Sequence, residues 1–174
     1  MLKNRRLHST LKTKAYISLG ANLGFDILNK LYKVLEEISF IHGVKICKIS
    51  NFYQTAPLKT RGPDFINCVA MLETYVPPLD LLEIFHRIEK YYGRERSWKN
   101  APRLLDLDLL SYGNVEMETK ELILPHPRIQ ERAFILKPLL DISPELELPK
   151  IGKIKMILRW NLDQNVKILQ KFDQ

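Results

Sequence analysis

Glycine is scarce in this chain, with seven in 174 residues, and cysteine scarcer, with two. The glycines fall singly, and neither a G-x-x-x-x-G-K-[ST] loop nor a G-x-G-x-x-G run occurs. A glycine cradle at a helix N-terminus is thereby excluded, and the P-loop and protein-kinase classes with it. Cys47 and Cys68 stand alone inside apolar runs, which fits buried thiols in a reducing cytoplasm and provides neither a disulfide framework nor a thiolate metal site. No apolar run approaches the roughly 20 residues that span a bilayer. The first fourteen residues hold Lys3, Arg5, Arg6, Lys12 and Lys14 with no acid and no apolar segment, unlike a secretory signal. Residues 1–13 are read as a basic extension and 14–174 as one domain.

What the chain does hold is 45% apolar residues well mixed with charge, enough for one full core. Residues 15–19 read as a strand stopped by Gly20, and 22–24 as a turn. Phe25, Ile27, Leu28, Leu31, Val34, Leu35 and Ile38 recur at helical spacing up to about Phe40. Residues 44–53 read as one β-branched and aromatic strand and 65–74 as the next, with a loop over 55–64 between them. Pro77 and Pro78 open a second helix that Gly93 closes. A fourth strand covers 104–112, a short hairpin 115–124, a short helix 129–133 and a last helix 153–171. The order strand–helix–strand–strand–helix–strand is the split βαβ pattern of a ferredoxin-like α+β sandwich. It predicts a mainly antiparallel sheet with helices on one face, C-terminal additions, and the other face open for a site.

Positive charge exceeds negative by seven, which favours an anionic partner. Arg94, Arg96, Lys99 and Arg103 gather in one loop just ahead of Asp106 and Asp108. On a strand these two carboxylates leave the same face about 7 Å apart, while Leu105, Leu107 and Leu109 point the other way. Side by side they repel each other unless a cation lies between, and two Mg²⁺ ions bridging a polyphosphate are the simplest such arrangement. The arginines supply donors for the remaining phosphate oxygens. An acid pair suits a nucleotide better than a DNA groove. Each residue also has a plainer reading: D-x-D as a solvated strand face, His126 as a turn residue between two prolines, Asn22 as a helix cap, Phe65 and Phe134 as core. An RNA-binding module using an open sheet face, or an ATP-dependent transferase for another flat heterocycle, stays in competition.

Five motifs then stand in order: Tyr-Ile-Ser-Leu-Gly-Ala-Asn-Leu-Gly at 16–24, Ser-Asn-Phe-Tyr-Gln-Thr-Ala-Pro-Leu at 50–58, Pro-Asp-Phe-Ile-Asn at 63–67, Arg94 through Asn-Ala-Pro-Arg to Asp106 and Asp108, and Leu-Pro-His-Pro-Arg at 124–128. Arg132-Ala133-Phe134 and Pro138-Leu139 follow in register. Over about 14–148 the chain resembles the 6-hydroxymethyl-7,8-dihydropterin pyrophosphokinase family of folate biosynthesis. The resemblance implies transfer of the β,γ-pyrophosphate of ATP to the pterin hydroxymethyl, with Asp106 and Asp108 as ligands of two Mg²⁺ ions. It makes Arg94 and Arg103 catalytic loop arginines and places His126, Arg132, Arg96, Trp98 and Glu89 on the ATP side. On the pterin side it places Phe65 and Phe134 as stacking plates, Asn67 as the amide that reads the ring edge, and Thr55, Ala56, Leu58 and Asn22 around them. A flat ring with a polar rim fits such plates and an amide that both donates and accepts. Departures exist: the family often has Tyr at the position of Phe65, some members carry Trp where Asn100 stands, and Pro127 replaces a Tyr seen elsewhere. A cytoplasmic monomer with neither nucleic-acid nor membrane partners completes the expectation.

Overall fold

Alternation in the two longest apolar strands sets the centre of the fold. The computed structural model describes residues 12–57, 62–93, 103–161 and 164–172. In chain order it contains β1 (Thr13–Ala21), α1 (Ile27–Ser39), β2 (Val44–Ile49), β3 (Phe52–Thr55), β4 (Phe65–Thr74), α2 (Pro78–Tyr91) and β5 (Asp106–Tyr112). A hairpin of β6 (Met117–Glu118) and β7 (Ile123–Leu124), a 3₁₀ turn (Ile129–Glu131) and α3 (Ala133–Ile142) follow. The chain continues through β8 (Glu147–Leu148), β9 (Gly152–Lys153), α4 (Ile154–Leu158), a second 3₁₀ turn (Arg159–Asn161) and β10 (Val166–Gln170). The main sheet runs β10–β3–β4–β1–β5, with β2 also on β4, and every pairing is antiparallel. This is the predicted sandwich, with β2 and β3 together filling one strand position.

On β1 and β4, Ala15, Ile17, Leu19, Cys68, Ala70 and Leu72 face one side, where Leu31, Leu35 and Ile38 of α1 and Leu81 and Phe85 of α2 meet them. Pro78 starts α2 at its first turn, where its missing N–H costs nothing. The cap of α1 is Asp26, which accepts from the Asn29 N–H at 3.3 Å, and not Asn22. Phe25 contributes nothing to that helix face and is almost wholly exposed. Cys68 is fully buried, which pushes its thiol well above the usual range and keeps it inert.

Four expectations need correction. The strand over 44–53 breaks at Ser50, whose hydroxyl accepts from the Val69 N–H and donates to the Asn51 carbonyl, taking up ladder partners locally. The short helix at 129–133 is a 3₁₀ turn followed by α3, a ten-residue helix with six buried residues and Pro138 inside it. The helix expected over 153–171 is only α4 and a 3₁₀ turn, and 166–170 is an edge strand on β3. Finally, helices cover both faces. Ile135, Leu136, Leu139 and Ile142 of α3, with Ile154 of α4, pack on Tyr16, Val69 and Met71. That covers one half of the second face. The other half, beyond the N-terminus of α3, opens as a cleft.

Candidate active site

The cleft is floored by the ends of three strands. Ser18 and Gly20 of β1, Asn67 of β4, and Asp106 and Asp108 of β5 all line it, since residues two apart leave the same face. Leu107 and Leu109 turn the other way into the core, as alternation requires. Leu110, two residues on from Asp108, keeps to the same face and packs on the α3 side, and the register shift opposite Tyr16/Ile17 then turns Tyr112 into the core on the other face. The carboxylates therefore stand at the open end of a strand whose other end is core on both faces.

Each carboxylate meets a guanidinium. Arg103 pairs with Asp106, and Arg132 Nη1 lies 3.4 Å from Asp108 Oδ2. Arg128 also lines the cleft. Burial lowers the pKa of Arg132 and Asp108 raises it, so the ion pair offsets part of the loss of water. His126 lies just behind: its backbone N–H donates to the Leu110 carbonyl at 2.7 Å, and its Nδ1 accepts from the Arg128 N–H at 3.1 Å. Burial, reinforced by Arg132 and Arg128 against Asp108, pushes the imidazole below its ordinary value. His126 does not line the cleft wall itself.

Arg103 is held through its backbone. Asn22 Oδ1 accepts its N–H at 2.7 Å, and the N–H groups of Asn22 and Leu23 donate to its carbonyl at 3.0 and 3.2 Å. Asn22 Nδ2 donates to the Pro63 carbonyl at 3.1 Å, tying in a third loop. Lys30 Nζ donates to the Leu23 and Leu104 carbonyls at 2.8 and 3.0 Å, and the same burial lowers its pKa. Asn22 is thus a buried strut whose amide is engaged by the chain, and it does not line the cleft. Glu89 is likewise placed elsewhere. It is 1% exposed on α2, under the opposite face of the sheet, and its Oε1 accepts the Leu107 N–H at 2.8 Å.

The opposite wall is aromatic and amide. Phe65 and Phe134 line it with Thr55 and Ala56, and the Arg132 guanidinium carbon lies 5.7 Å from the centre of the Phe134 ring. Asn67 Nδ2 donates to Thr55 Oγ1 at 3.0 Å, which orients the amide. Gly20 makes room for it, because a Cβ there would lie 2.5 Å from Asn67 Oδ1. Of the residues singled out in the sequence, the cleft brings together Arg103, Asp106, Asp108, Arg132, Thr55, Ala56, Phe65, Asn67 and Phe134. Arg94, Arg96, Trp98 and Leu58 lie outside the described residues. Ser18, Gly20 and Arg128 had not been singled out, although all three lie inside the motifs at 16–24 and 124–128. Strand parity from Asp108 through its partner Ser18 is the signal that could have found the first two.

No group of three or more His, Cys, Asp and Glu side chains suited to a metal occurs among the described residues. Two carboxylates on one strand face, opening on a cleft, nevertheless fit Mg²⁺, which takes one or two carboxylates and completes its octahedron with water and substrate oxygens.

Fold and cleft together define an α+β sandwich in which an acid pair and arginines share one cavity with aromatic plates. A family model described as 7,8-dihydro-6-hydroxymethylpterin-pyrophosphokinase (HPPK) matches residues 16–144. The chain belongs to that family. It is 39% identical over 153 residues to a Haemophilus influenzae protein named 2-amino-4-hydroxy-6-hydroxymethyldihydropteridine pyrophosphokinase, covering 87% of this chain and 95% of that one. It is 41% identical over 138 residues to a Pneumocystis carinii folic acid synthesis protein, covering 79% of this chain but only 18% of the fungal protein. A crystal structure of a Plasmodium falciparum HPPK-DHPS variant with pteroate shares the fold at a TM-score of 0.70 and 15% identity, over 91% of this chain and 45% of that one.

Proposed function

We propose that the chain transfers the β,γ-pyrophosphate of ATP to the hydroxymethyl group of 6-hydroxymethyl-7,8-dihydropterin, releasing AMP, as a step of folate biosynthesis. One observation carries the reading: an acid pair with its arginines and an aromatic–amide wall share a single cleft. In this reading Phe65 and Phe134 stack on the pterin, and Asn67, oriented by Thr55, reads its edge. The hydroxymethyl oxygen then lies toward Asp106 and Asp108. It attacks the β-phosphorus in line and releases its proton to solvent, and the bond from that phosphorus to the oxygen shared with the α-phosphate breaks, so AMP leaves with that oxygen.

Asp106 and Asp108 would hold Mg²⁺, two ions in the full assignment. Bound there, Mg²⁺ neutralises phosphate charge and orients the polyphosphate. Arg103 and Arg132, held rigidly in place, contribute positive charge where the transition state spreads negative charge over phosphate oxygens. His126, kept neutral by burial and with Nδ1 already accepting from the Arg128 N–H, has its Nε2–H to donate on the nucleotide side without adding charge. Arg94, Arg96 and Trp98 are assigned to nucleotide binding on the family resemblance alone. Asn22 and Glu89 are reassigned from ligand contact to positioning.

The protein is proposed to act as a cytoplasmic monomer without nucleic-acid or membrane partners. Support comes from α3, which covers half of the sheet face that an RNA-binding module would need open. Among the described residues no helix is long and apolar enough to cross a membrane. The test is AMP release from ATP and Mg²⁺ with and without the pterin. AMP that forms only with the pterin, and is lost in the combined Asp106→Asn and Asp108→Asn variant, supports the reading. ADP in place of AMP, or turnover unaffected by the two substitutions, overturns it.

A further inference from the structure

The family match ends at residue 144, yet a later segment reaches the cleft from outside it. Gln164 Oε1 accepts the Ala133 N–H at 2.9 Å, and its Nε2 donates to the Glu131 carbonyl at 2.8 Å. Ala133 is the first residue of α3, where backbone N–H groups have no partner within the helix, and the N-cap residue Arg132 supplies no side-chain cap. A glutamine from a distant part of the chain does so instead. Two residues on, Val166 pairs with Thr55 across the β10–β3 ladder, and its carbonyl accepts from Lys137 Nζ at 3.3 Å. One short stretch is therefore bonded to two separate elements that carry cleft-lining residues. It holds Thr55 on one side and the turn that carries Arg132 and Phe134 on the other.

We infer that Gln164 is a positioning residue for Phe134, and that residues 164–170 form a clasp that sets the width of the pterin slot. The inference rests on the pyrophosphokinase reading above. Without Gln164, the Ala133 N–H and the Glu131 carbonyl turn to water and the first turn of α3 frays. Phe134 lies in that turn and loses its fixed spacing from Phe65. The rest of α3 stays seated through Ile135, Leu136 and Leu139. The nucleotide side depends on Asp106 and Arg103, which are anchored independently through Asn22 and Lys30, and on Arg132, whose guanidinium keeps its ion pair with Asp108. Loss of the clasp should therefore separate the two ligands.

The experiment uses full-length Gln164→Ala and Gln164→Glu proteins. It measures binding of a non-hydrolysable ATP analogue with Mg²⁺, binding of 6-hydroxymethyl-7,8-dihydropterin in its presence, and hydrogen exchange at the Ala133 amide. In Gln164→Ala, pterin binding is expected to weaken about three- to tenfold, the effect of losing a helix cap. The analogue should change by less than about twofold, as for a surface substitution away from its site, and the Ala133 amide should exchange faster. Gln164→Glu keeps the acceptor and restores protection at Ala133 with part of the pterin affinity. Unchanged pterin binding in Gln164→Ala, or an equal loss for both ligands, overturns the inference. A wild-type protein that binds no pterin overturns the functional reading instead, and exchange at Ala133 then decides whether the clasp exists.

Discussion

Gly20 shows how much a missing side chain can decide. No left-handed backbone demands glycine there, but the contact with Asn67 Oδ1 does. Gly20→Ala must push aside an amide that Thr55 fixes from the other side. It is expected to weaken pterin binding by about tenfold or more while leaving the circular dichroism spectrum intact, since misplacing one hydrogen-bonding group costs about 1–3 kcal/mol. His126 bears on pH. Its folded pKa is lowered, so the folded protein binds fewer protons than the unfolded chain just below the ordinary value of 6.5. Stability therefore rises with pH through that window and is lost as pH falls from about 6.5 toward the folded pKa. In metal-free buffer, His126→Asn, which offers an acceptor near the position of Nδ1, should flatten the slope of unfolding free energy against pH. An unchanged slope would assign the acid sensitivity to other groups. At this scale Asp106, Asp108 and Phe134 were readable as residue types in a motif. The strut role of Asn22 was not, because its partners at Pro63 and Arg103 become neighbours only in three dimensions.

Elements were legible where one period dominates. The strand at 65–74 matches its sequence reading residue for residue, because an apolar run broken only by Asn67 fills 65–72. Two elements near the C-terminus were not legible. A proline normally stops a helix, yet the residues around Pro138 are buried between the sheet and α4, and packing outweighs the lost hydrogen bond. In 153–171 the spacing of Leu158, Leu162, Val166 and Leu169 imitates a helix, but pairing with β3 claims the last part as strand. The join between α2 and β5 makes a prediction of its own. Glu89 is buried and accepts the Leu107 N–H, so Glu89→Ala strands a buried donor next to the acid pair. Unfolding in urea should show a loss of about 1–3 kcal/mol. Glu89→Gln, which keeps an acceptor, should lose less. Equal loss from both would point to the charge of Glu89 and not to its hydrogen bond.

For the molecule as a whole, the question is how a chain with a formal charge of +7 handles a polyanion. Asp106 and Asp108 hold Arg103 and Arg132 in ion pairs, so without a metal the cleft spends part of its positive charge internally. Removing both carboxylates as Asp106→Asn with Asp108→Asn frees those guanidiniums. Calorimetry should find that the double variant binds ATP at least as tightly as wild type in EDTA, and gains nothing from Mg²⁺. Wild type should gain about tenfold or more from the metal. If Mg²⁺ tightens ATP binding equally in both proteins, the acid pair does not hold the ion. The outer rim of β10 carries a different kind of consequence. Among the described residues its backbone is laddered to β3 on one side only, and Ile168 and Leu169 are about half exposed on its two faces. Such an edge is a template on which another chain can add a strand, and Lys167 within the strand and Lys171 just past it are the charges that discourage it. Neutralising both lysines should lower the concentration at which the folded protein stays clear of aggregates, with the cleft untouched.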